Sequence, residues 1–199
     1  EIEGLDHPSV LDYLAVLRDH QPVGGCVAII GAGGIGFDVA TYLAHSGPGA
    51  ALDADKFYAE WGVDTRPGPH SGLRAPRVEA SPRRIHLLQR KASKVGEGLG
   101  VSTGWIHRAA LKNRGVDMIA GATYRRIDDA GLHISVAGED RLLAVDHVIV
   151  CAGQLPERSL ASGLGRTPGC VHLIGGADEA AELDAKRAIN QAVRLAATL

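Results

Sequence analysis

A strand-like segment that leads directly into a glycine-rich turn is the feature that most constrains this fold. The apolar run 27–30 is followed by G-x-G-x-x-G, whose glycines are Gly31, Gly33 and Gly36. In this motif the first glycine permits a tight turn, the second lets backbone approach a pyrophosphate, and the third lets the next helix pack on the strand. Residues 37–44 continue with helical spacing of apolar side chains. The segment therefore predicts a strand, a turn and a helix whose N-terminus holds a dinucleotide pyrophosphate.

A basic segment follows the second predicted strand, 85–89, and contains Arg90, Lys91 and Lys94. An NAD site usually carries Asp or Glu at this place, where the carboxylate accepts hydrogen bonds from the ribose 2′-hydroxyl. Arg90 and Lys91 stand there instead, and two cations suit a 2′-phosphate with no carboxylate nearby to repel it. A solvated basic loop is the alternative interpretation. The position after the strand favours a phosphorylated dinucleotide, NADPH.

Strand and helix patterns alternate along the chain, with one antiparallel insertion. The predicted helices are 8–18 with Ser9 as its cap, 37–44, 55–61, 103–111 and 178–198, and the predicted strands are 27–30, 85–89, 116–119, 147–151 and 171–174. A three-stranded meander is expected over 124–144. The fold class is α/β, a three-layer Rossmann-like domain with a parallel sheet and an antiparallel meander, of the FAD/NAD(P)-binding-domain type.

Residues 45–82 are predicted to be an insertion, because an unmodified crossover reaches its second strand about 20 residues after the glycines. Within this insertion, Phe57, Tyr58 and Trp61 lie on one predicted helix. Long insertions need apolar contacts to be ordered. We expect these aromatic side chains to cap the core.

Composition narrows the classes of function. A hydrophobic content of 45% and a net charge of −2 over 199 residues suit an ordinary globular core and argue against a nucleic-acid surface. No apolar stretch is long enough to cross a membrane and no secretory pattern is visible, so a cytoplasmic protein is expected. The cysteines Cys26, Cys151 and Cys170 form no C-x-x-C pair, and the histidines lack metal-ligand spacing. We therefore predict no metal site and no thiol–disulfide centre.

Six segments together resemble the C-terminal part of the bacterial 2,4-dienoyl-CoA reductases: 29–38, 88–94, 103–108, 151–154, 172–176 and 182–188. Members of that family join a TIM barrel, which carries FMN and a 4Fe–4S cluster, to FAD- and NADPH-binding domains. Electrons pass from NADPH through FAD and the cluster to FMN, which reduces an unsaturated fatty acyl-CoA in fatty acid β-oxidation. The resemblance implies that this chain is the NADPH-binding portion and delivers hydride to FAD.

The resemblance also implies roles for particular residues. It places the NADPH pyrophosphate at the glycine turn, the 2′-phosphate at the basic segment, further cofactor contacts after strand 147–151, and FAD after segment 171–174. These residues are Gly31, Ala32, Gly33, Gly34, Ile35 and Gly36, then Arg90, Lys91 and Lys94, then Ala152, Gly153 and Gln154, and last Gly175, Gly176 and Ala177. A helix start would face the flavin at this last group. Trp105 would lie toward the acyl substrate, and a core position is the equally weighted alternative. No catalytic residue falls in this chain.

The resemblance further divides the chain into a linker helix from the FAD domain (1–22), an NADPH-binding domain (23–165), and a strand and helix that return to the FAD domain (166–199). The expected partners are the FAD domain and the barrel of the same polypeptide, and a small-molecule substrate. Because the sequence has neither iron–sulfur cysteines nor a second G-x-G-x-x-G, we expect an excised module that cannot reduce the substrate by itself. Segment 171–174 should then pair beside 147–151.

Two other interpretations stay open at this stage. An amine-dehydrogenase-type flavoprotein domain would share the fold but hold ADP or no nucleotide, and Arg90 and Lys91 speak against it. A non-catalytic nucleotide-binding or redox-sensing module would bind NADPH without passing on a hydride.

Overall fold

The structure is a computed structural model that describes residues 2–66, 71–164, 171–181 and 185–199. The chain divides into two compact units, Glu1–Ala152 and Gly153–Leu199. The strands of the first unit are β1 (Val10–Asp12), β2 (Cys26–Ile30), β3 (Arg84–Leu88), β4 (Asp117–Ile119), β5 (Ala122–Asp128), β6 (Gly131–Val136), β7 (Glu139–Leu143) and β8 (His147–Val150). Its α-helices are α1 (Tyr13–Leu17), α2 (Gly34–Leu43), α3 (Ala54–Trp61) and α4 (Gly104–Asn113), with a 3₁₀ turn at Ala50–Leu52. The second unit has α5 (Ser159–Gly163), a 3₁₀ turn at Gly175–Ala177 and α6 (Ala185–Ala196).

The parallel sheet has five strands in the order β1-β8-β2-β3-β4. Ile30 at the end of β2 pairs with Leu88 at the end of β3 on one side and with Val150 at the end of β8 on the other. The carboxyl ends of three neighbouring strands therefore meet at one edge of the sheet. In an α/β sheet this edge is where ligands bind.

The core lies on both faces of this sheet. On one face, Ile29 packs with Phe37 of α2 and Leu111 of α4. On the other face, Ile30 packs with Leu132 and Ile134 of the three-stranded antiparallel sheet β5-β6-β7. Burial on both faces explains why β2 is a continuous apolar run rather than an alternating one. The predicted three-layer α/β fold with an antiparallel meander is confirmed.

The predicted helix over 8–18 is wrong in its first half. Val10–Asp12 forms a strand that pairs with β8 through Val10 and Val148, and only Tyr13–Leu17 is helical. Asp12 caps α1 because its Oδ1 accepts from the Ala15 N–H at 2.7 Å, so Ser9 is not the cap. A short apolar run fits either element, and here the open edge of β8 supplies strand partners for its backbone.

The predicted strand over 171–174 is also wrong. These residues form no strand, and the place beside β8 is held by β1. The predicted helix over 178–198 is wrong at its start, since residues 178–181 are not helical, and α6 is described over Ala185–Ala196. Cys170 lies outside the described residues.

The insertion contains α3, whose aromatic side chains pack on one another. The Phe57 ring centroid lies 6.2 Å from that of Tyr58 and 6.4 Å from that of Trp61. Within the described part of the chain, these rings belong to neither core cluster nor to the side chains packed against one. The expectation that they cap the core is therefore wrong, because the ring contacts of these side chains lie within the helix. None of the helices in the described ranges is long and apolar enough to cross a membrane.

Candidate nucleotide-binding site

The turn after β2 excludes side chains at two of its glycines. Gly31 has a φ of +107°, and a Cβ built there would lie 2.9 Å from the carbonyl oxygen of Cys151. A Cβ on Gly36 would lie 1.8 Å from the carbonyl oxygen of Gly31, a distance that no structure tolerates. The first glycine thus allows the turn and the last allows α2 to pack against it, as the sequence predicts.

Open space lies at the two glycines that begin α2. A Cβ on Gly33 or Gly34 would meet nothing within 4 Å. Gly33 caps α2 without any side-chain hydrogen bond, so the first N–H groups of this helix have no capping side chain. These groups and the positive end of the helix dipole favour an anion. The turn therefore has both the space and the donors that a pyrophosphate requires.

One cavity joins this turn to the basic loop. Its volume is about 430 Å³, and it is lined by Ile30, Gly31, Ala32, Gly33, Gln89, Arg90, Lys91, Ser93, Glu97, Gly98, Tyr124 and Ala152. The parallel register brings the ends of β2 and β3 side by side, which is why segments 58 residues apart in sequence share a site. Among the residues predicted from sequence, the structure thus brings together Arg90, Lys91 and Ala152 with the first residues of the glycine turn.

Lys94 and Trp105 lie in a different cavity. This second cavity, of about 640 Å³, is lined by Lys94, Val95, Trp105, Arg108, Ala109, Lys112, Val116, Met118 and Ala120. Trp105 is 58% exposed and its Nε1–H donates to the carbonyl oxygen of Ser102 at 3.0 Å. The core position considered for Trp105 is therefore wrong, since α4 presents the indole at the surface. Lys94 does not line the cavity that holds Arg90 and Lys91.

Four polar side chains of the first cavity were missed by sequence analysis: Gln89, Ser93, Glu97 and Tyr124. The expectation of no carboxylate near the cations is wrong, because Glu97 lines the same cavity. A turn over residues 94–97 brings Glu97 back to the cavity, and in this turn the Glu97 N–H donates to the Lys94 carbonyl at 3.0 Å. Burial raises the pKa of Tyr124 to about 12, against the opposing effect of the Arg90 charge. Tyr124 is therefore a neutral phenol at physiological pH.

Most of the remaining predicted residues belong to the second unit. Gly153 and Gln154 begin it and lie outside regular structure. Gly175–Ala177 forms a single 3₁₀ turn, in which the Gly175 N–H donates to the Gln191 Oε1 at 2.8 Å. Ile35 and Gly36 stay with the first unit, in the opening turn of α2. A 3₁₀ turn thus begins at Gly175, where a helix start was expected, and the following α-helix is described from Ala185 onward.

Cys26 and Cys151 are free thiols among the described residues. Burial raises the pKa of Cys151 to about 12 and also raises that of Cys26, where burial outweighs the nearby Arg84. A thiol with such a pKa is protonated at neutral pH and is a weak nucleophile. In the ranges that the structure describes, His, Cys, Asp and Glu side chains form no group of three or more that could hold a metal ion.

Comparison with known proteins identifies the family of this chain. The chain belongs to the pyridine nucleotide-disulphide oxidoreductase family, whose model matches residues 7–169. Membership makes it an oxidoreductase domain and implies FAD and NAD(P)H as redox cofactors.

Particular relatives are much longer than this chain. The present chain is 27% identical over 170 residues to a metal reductase of Desulforamulus reducens. This match covers 84% of the present chain and 24% of the metal reductase. The fold of this chain is similar to that of a 2-naphthoyl-CoA reductase, with a TM-score of 0.66, 21% identity, and coverage of 96% of this chain and 24% of the other. Its fold is also similar to that of a 6-hydroxypseudooxynicotine amine oxidase of Pseudomonas geniculata, with a TM-score of 0.65 and 17% identity. This match covers 97% of this chain and 25% of the amine oxidase. The chain thus spans about a quarter of the length of each.

Proposed function

We propose that this chain is the NADPH-binding domain of a flavoenzyme similar to the 2,4-dienoyl-CoA reductases, in which it serves hydride transfer from NADPH to FAD. The observation that carries the proposal is the single cavity that joins the glycine turn at the start of α2 to Arg90 and Lys91 at the end of β3. Family membership supplies the class of cofactor. The two cations supply the preference for its 2′-phosphorylated form.

The residues present fit this nucleotide. The open N–H groups at Gly33 and Gly34 would hold the pyrophosphate, and the cations of Arg90 and Lys91 would hold the 2′-phosphate. Arg90 offers a planar fork of donors and Lys91 a compact charge, so the pair can neutralise a dianion. NADPH supplies a hydride when it is bound. The protein's own contribution is to bind and orient the nucleotide.

The proposed substrate is an unsaturated fatty acyl-CoA, reduced elsewhere in a longer polypeptide. It rests on the residue matches to the 2,4-dienoyl-CoA reductases, and the fold similarity to a 2-naphthoyl-CoA reductase agrees with it. In this proposal the same polypeptide supplies an FAD domain and a barrel with FMN and a 4Fe–4S cluster, in the cytoplasm. Trp105, exposed on α4, would face the acyl substrate.

An amine-oxidising flavoprotein domain is the second candidate. The amine oxidase of Pseudomonas geniculata and a histamine dehydrogenase of Rhizobium have similar folds, with TM-scores of 0.65 and 0.59. Such a domain would hold ADP or no nucleotide. Arg90 and Lys91 favour the NADPH-binding function over this one.

Calorimetric titration of the chain with NADPH, NADH and ADP tests the proposal. NADPH should bind more tightly than NADH, and Arg90→Ala should weaken NADPH roughly tenfold to a hundredfold, because a hydrogen bond to a charged group contributes about 1.5–3 kcal/mol. The affinity for NADH should hardly change. Lys112→Ala is the matched control, since this cation lines the other cavity. Equal affinities of the unmodified chain for NADPH and NADH would contradict the proposal, and binding of ADP alone would favour the amine-oxidising class.

A further inference from the structure

We propose that Gln89 is a positioning residue that sets the preference for the 2′-phosphorylated nucleotide by holding the loop of Arg90 and Lys91 in place. This inference rests on the proposed function of the first cavity. Gln89 is the first residue after β3 and lines that cavity itself. Its side chain spans the loop that carries the two cations.

The carboxamide of Gln89 closes the loop with two hydrogen bonds. Its Nε2 donates to the carbonyl oxygen of Lys91 at 3.0 Å and to that of Ser93 at 2.6 Å. The backbone of Gln89 is itself fixed, because its N–H donates to Ile119 at 3.0 Å and its carbonyl accepts from Ala122 at 3.0 Å. A firmly held residue thus ties down the four residues that follow it.

The carbonyl of Lys91 is tied from a second side. It also accepts from the Gly121 N–H at 2.9 Å, in the connection between β4 and β5. The Lys91 carbonyl oxygen thus accepts two hydrogen bonds, the full capacity of its two lone pairs, one from the Gln89 side chain and one from the Gly121 N–H. This arrangement fixes the backbone of Lys91 from outside the loop and from within it.

The two cations have no comparable anchor of their own. Both Arg90 and Lys91 are exposed, and neither side chain makes a hydrogen bond or ion pair with any residue in the described ranges. Their charges stay available to a ligand, but their direction depends on the loop backbone. A preorganised loop lowers the entropy lost when a phosphate binds.

Glutamine suits this task because its amide has two N–H donors and no charge. Leucine at this position would have a similar size but no donor. Glutamate would have a similar shape, but its carboxylate would face two carbonyl oxygens and add negative charge beside the 2′-phosphate. The two replacements therefore remove the same hydrogen bonds in different ways.

The test is titration of Gln89→Leu and Gln89→Glu, in the full 199-residue chain, with NADPH and NADH. Each variant should weaken NADPH about fivefold to tenfold, as expected for a lost pair of hydrogen bonds, with NADH changed less than about twofold. In an Arg90→Ala, Lys91→Ala background, Gln89→Leu should no longer change the affinity for NADPH, because it acts through those cations. Gln21→Leu, at an exposed glutamine outside this cavity, is the control and should leave the ratio of the NADPH and NADH affinities unchanged.

Three results are separable. If the unmodified chain prefers NADPH and either folded Gln89 variant lowers that preference, with the effect lost in the double-cation background, the inference is supported. The inference fails if both variants keep the preference for NADPH, or if they bind NADPH and NADH equally more weakly while circular dichroism shows that they are folded. Gln89 then has only a structural role, and the proposed function still stands. If the unmodified chain binds both nucleotides equally, the proposed function itself fails.

Discussion

Single residues of the glycine turn are constrained by different neighbours. At Gly36 a side chain would collide with the carbonyl oxygen of Gly31 at 1.8 Å, whereas at Gly33 it would meet nothing within 4 Å. Gly36 is therefore required by the packing of the protein itself. At Gly33, the protein alone would accept a side chain, so only an incoming ligand gives a reason for glycine.

We expect Gly33→Val to abolish dinucleotide binding and leave the fold intact, because the added branches would occupy the space of the pyrophosphate. The extended backbone at Gly33, with φ of −84° and ψ of −171°, accepts valine without strain. Titration with NADPH and thermal unfolding measure the two effects. Gly36→Val is the comparison and should unfold the domain. A folded Gly33→Val chain with unchanged affinity would show that the phosphates bind elsewhere.

Tyr124 predicts a pH dependence at the same scale. Its pKa of about 12 in the folded chain lies above the ordinary value of 10.0, so between these two pH values the unfolded chain has released a proton that the folded chain still holds. The stability from this group is therefore present below pH 10 and is lost as the pH rises to 12. Urea unfolding across this range should show a smaller loss of stability in Tyr124→Phe. An equal loss in both chains would contradict the buried phenol.

A buried ion pair links the insertion to the rest of the domain. The Arg114 Nη2 lies 2.7 Å from the Glu60 Oε1 at the end of α3, with side chains 4% and 15% exposed, and the Arg114 Nη1 donates to the Glu79 carbonyl at 3.0 Å. The Nε of Arg114 is buried and has no partner among the described atoms. The guanidinium at the end of α4 thus binds the insertion at two places.

Removal of Arg114 should destabilise the chain strongly. Arg114→Ala leaves the Glu60 carboxylate buried without its partner, a change that costs about 3–5 kcal/mol in comparable buried pairs. Chemical denaturation should show this loss. Arg66→Ala, which breaks the exposed pair with Asp64, is the control and should have little effect. Similar stability of Arg114→Ala and the unmodified chain would mean that the insertion is held by other contacts.

Sequence patterns predicted the central strand of the parallel sheet better than the segments expected near its edge. The run before the glycine turn is apolar and largely β-branched, and it forms β2 as expected. The segments 8–18 and 171–174 fit more than one element, and the choice depends on which sheet edge is free. That edge is settled only when β1 pairs with β8. Local pattern does not contain this information.

At the scale of the whole molecule, parallel register accounts for the site. The glycine turn and the pair Arg90 and Lys91 could be predicted because each directly follows a strand, and the carboxyl ends of neighbouring strands meet at one edge of a parallel sheet. The sequence did not predict Glu97 or Tyr124, which reach the cavity from a loop and from β5. It also did not predict that Lys94, only three residues after Lys91, would line another cavity. Loop paths depend on particular hydrogen bonds, such as the one from the Gly121 N–H to the Lys91 carbonyl, which no spacing rule contains.

The most direct test of the account is a crystal structure of this chain with NADP⁺. The account predicts the pyrophosphate at the N-terminus of α2, against Gly33 and Gly34, and the 2′-phosphate within hydrogen-bonding distance of both Arg90 and Lys91. A nucleotide bound in the cavity of Lys94 and Trp105, or a 2′-phosphate that contacts neither Arg90 nor Lys91, would contradict it.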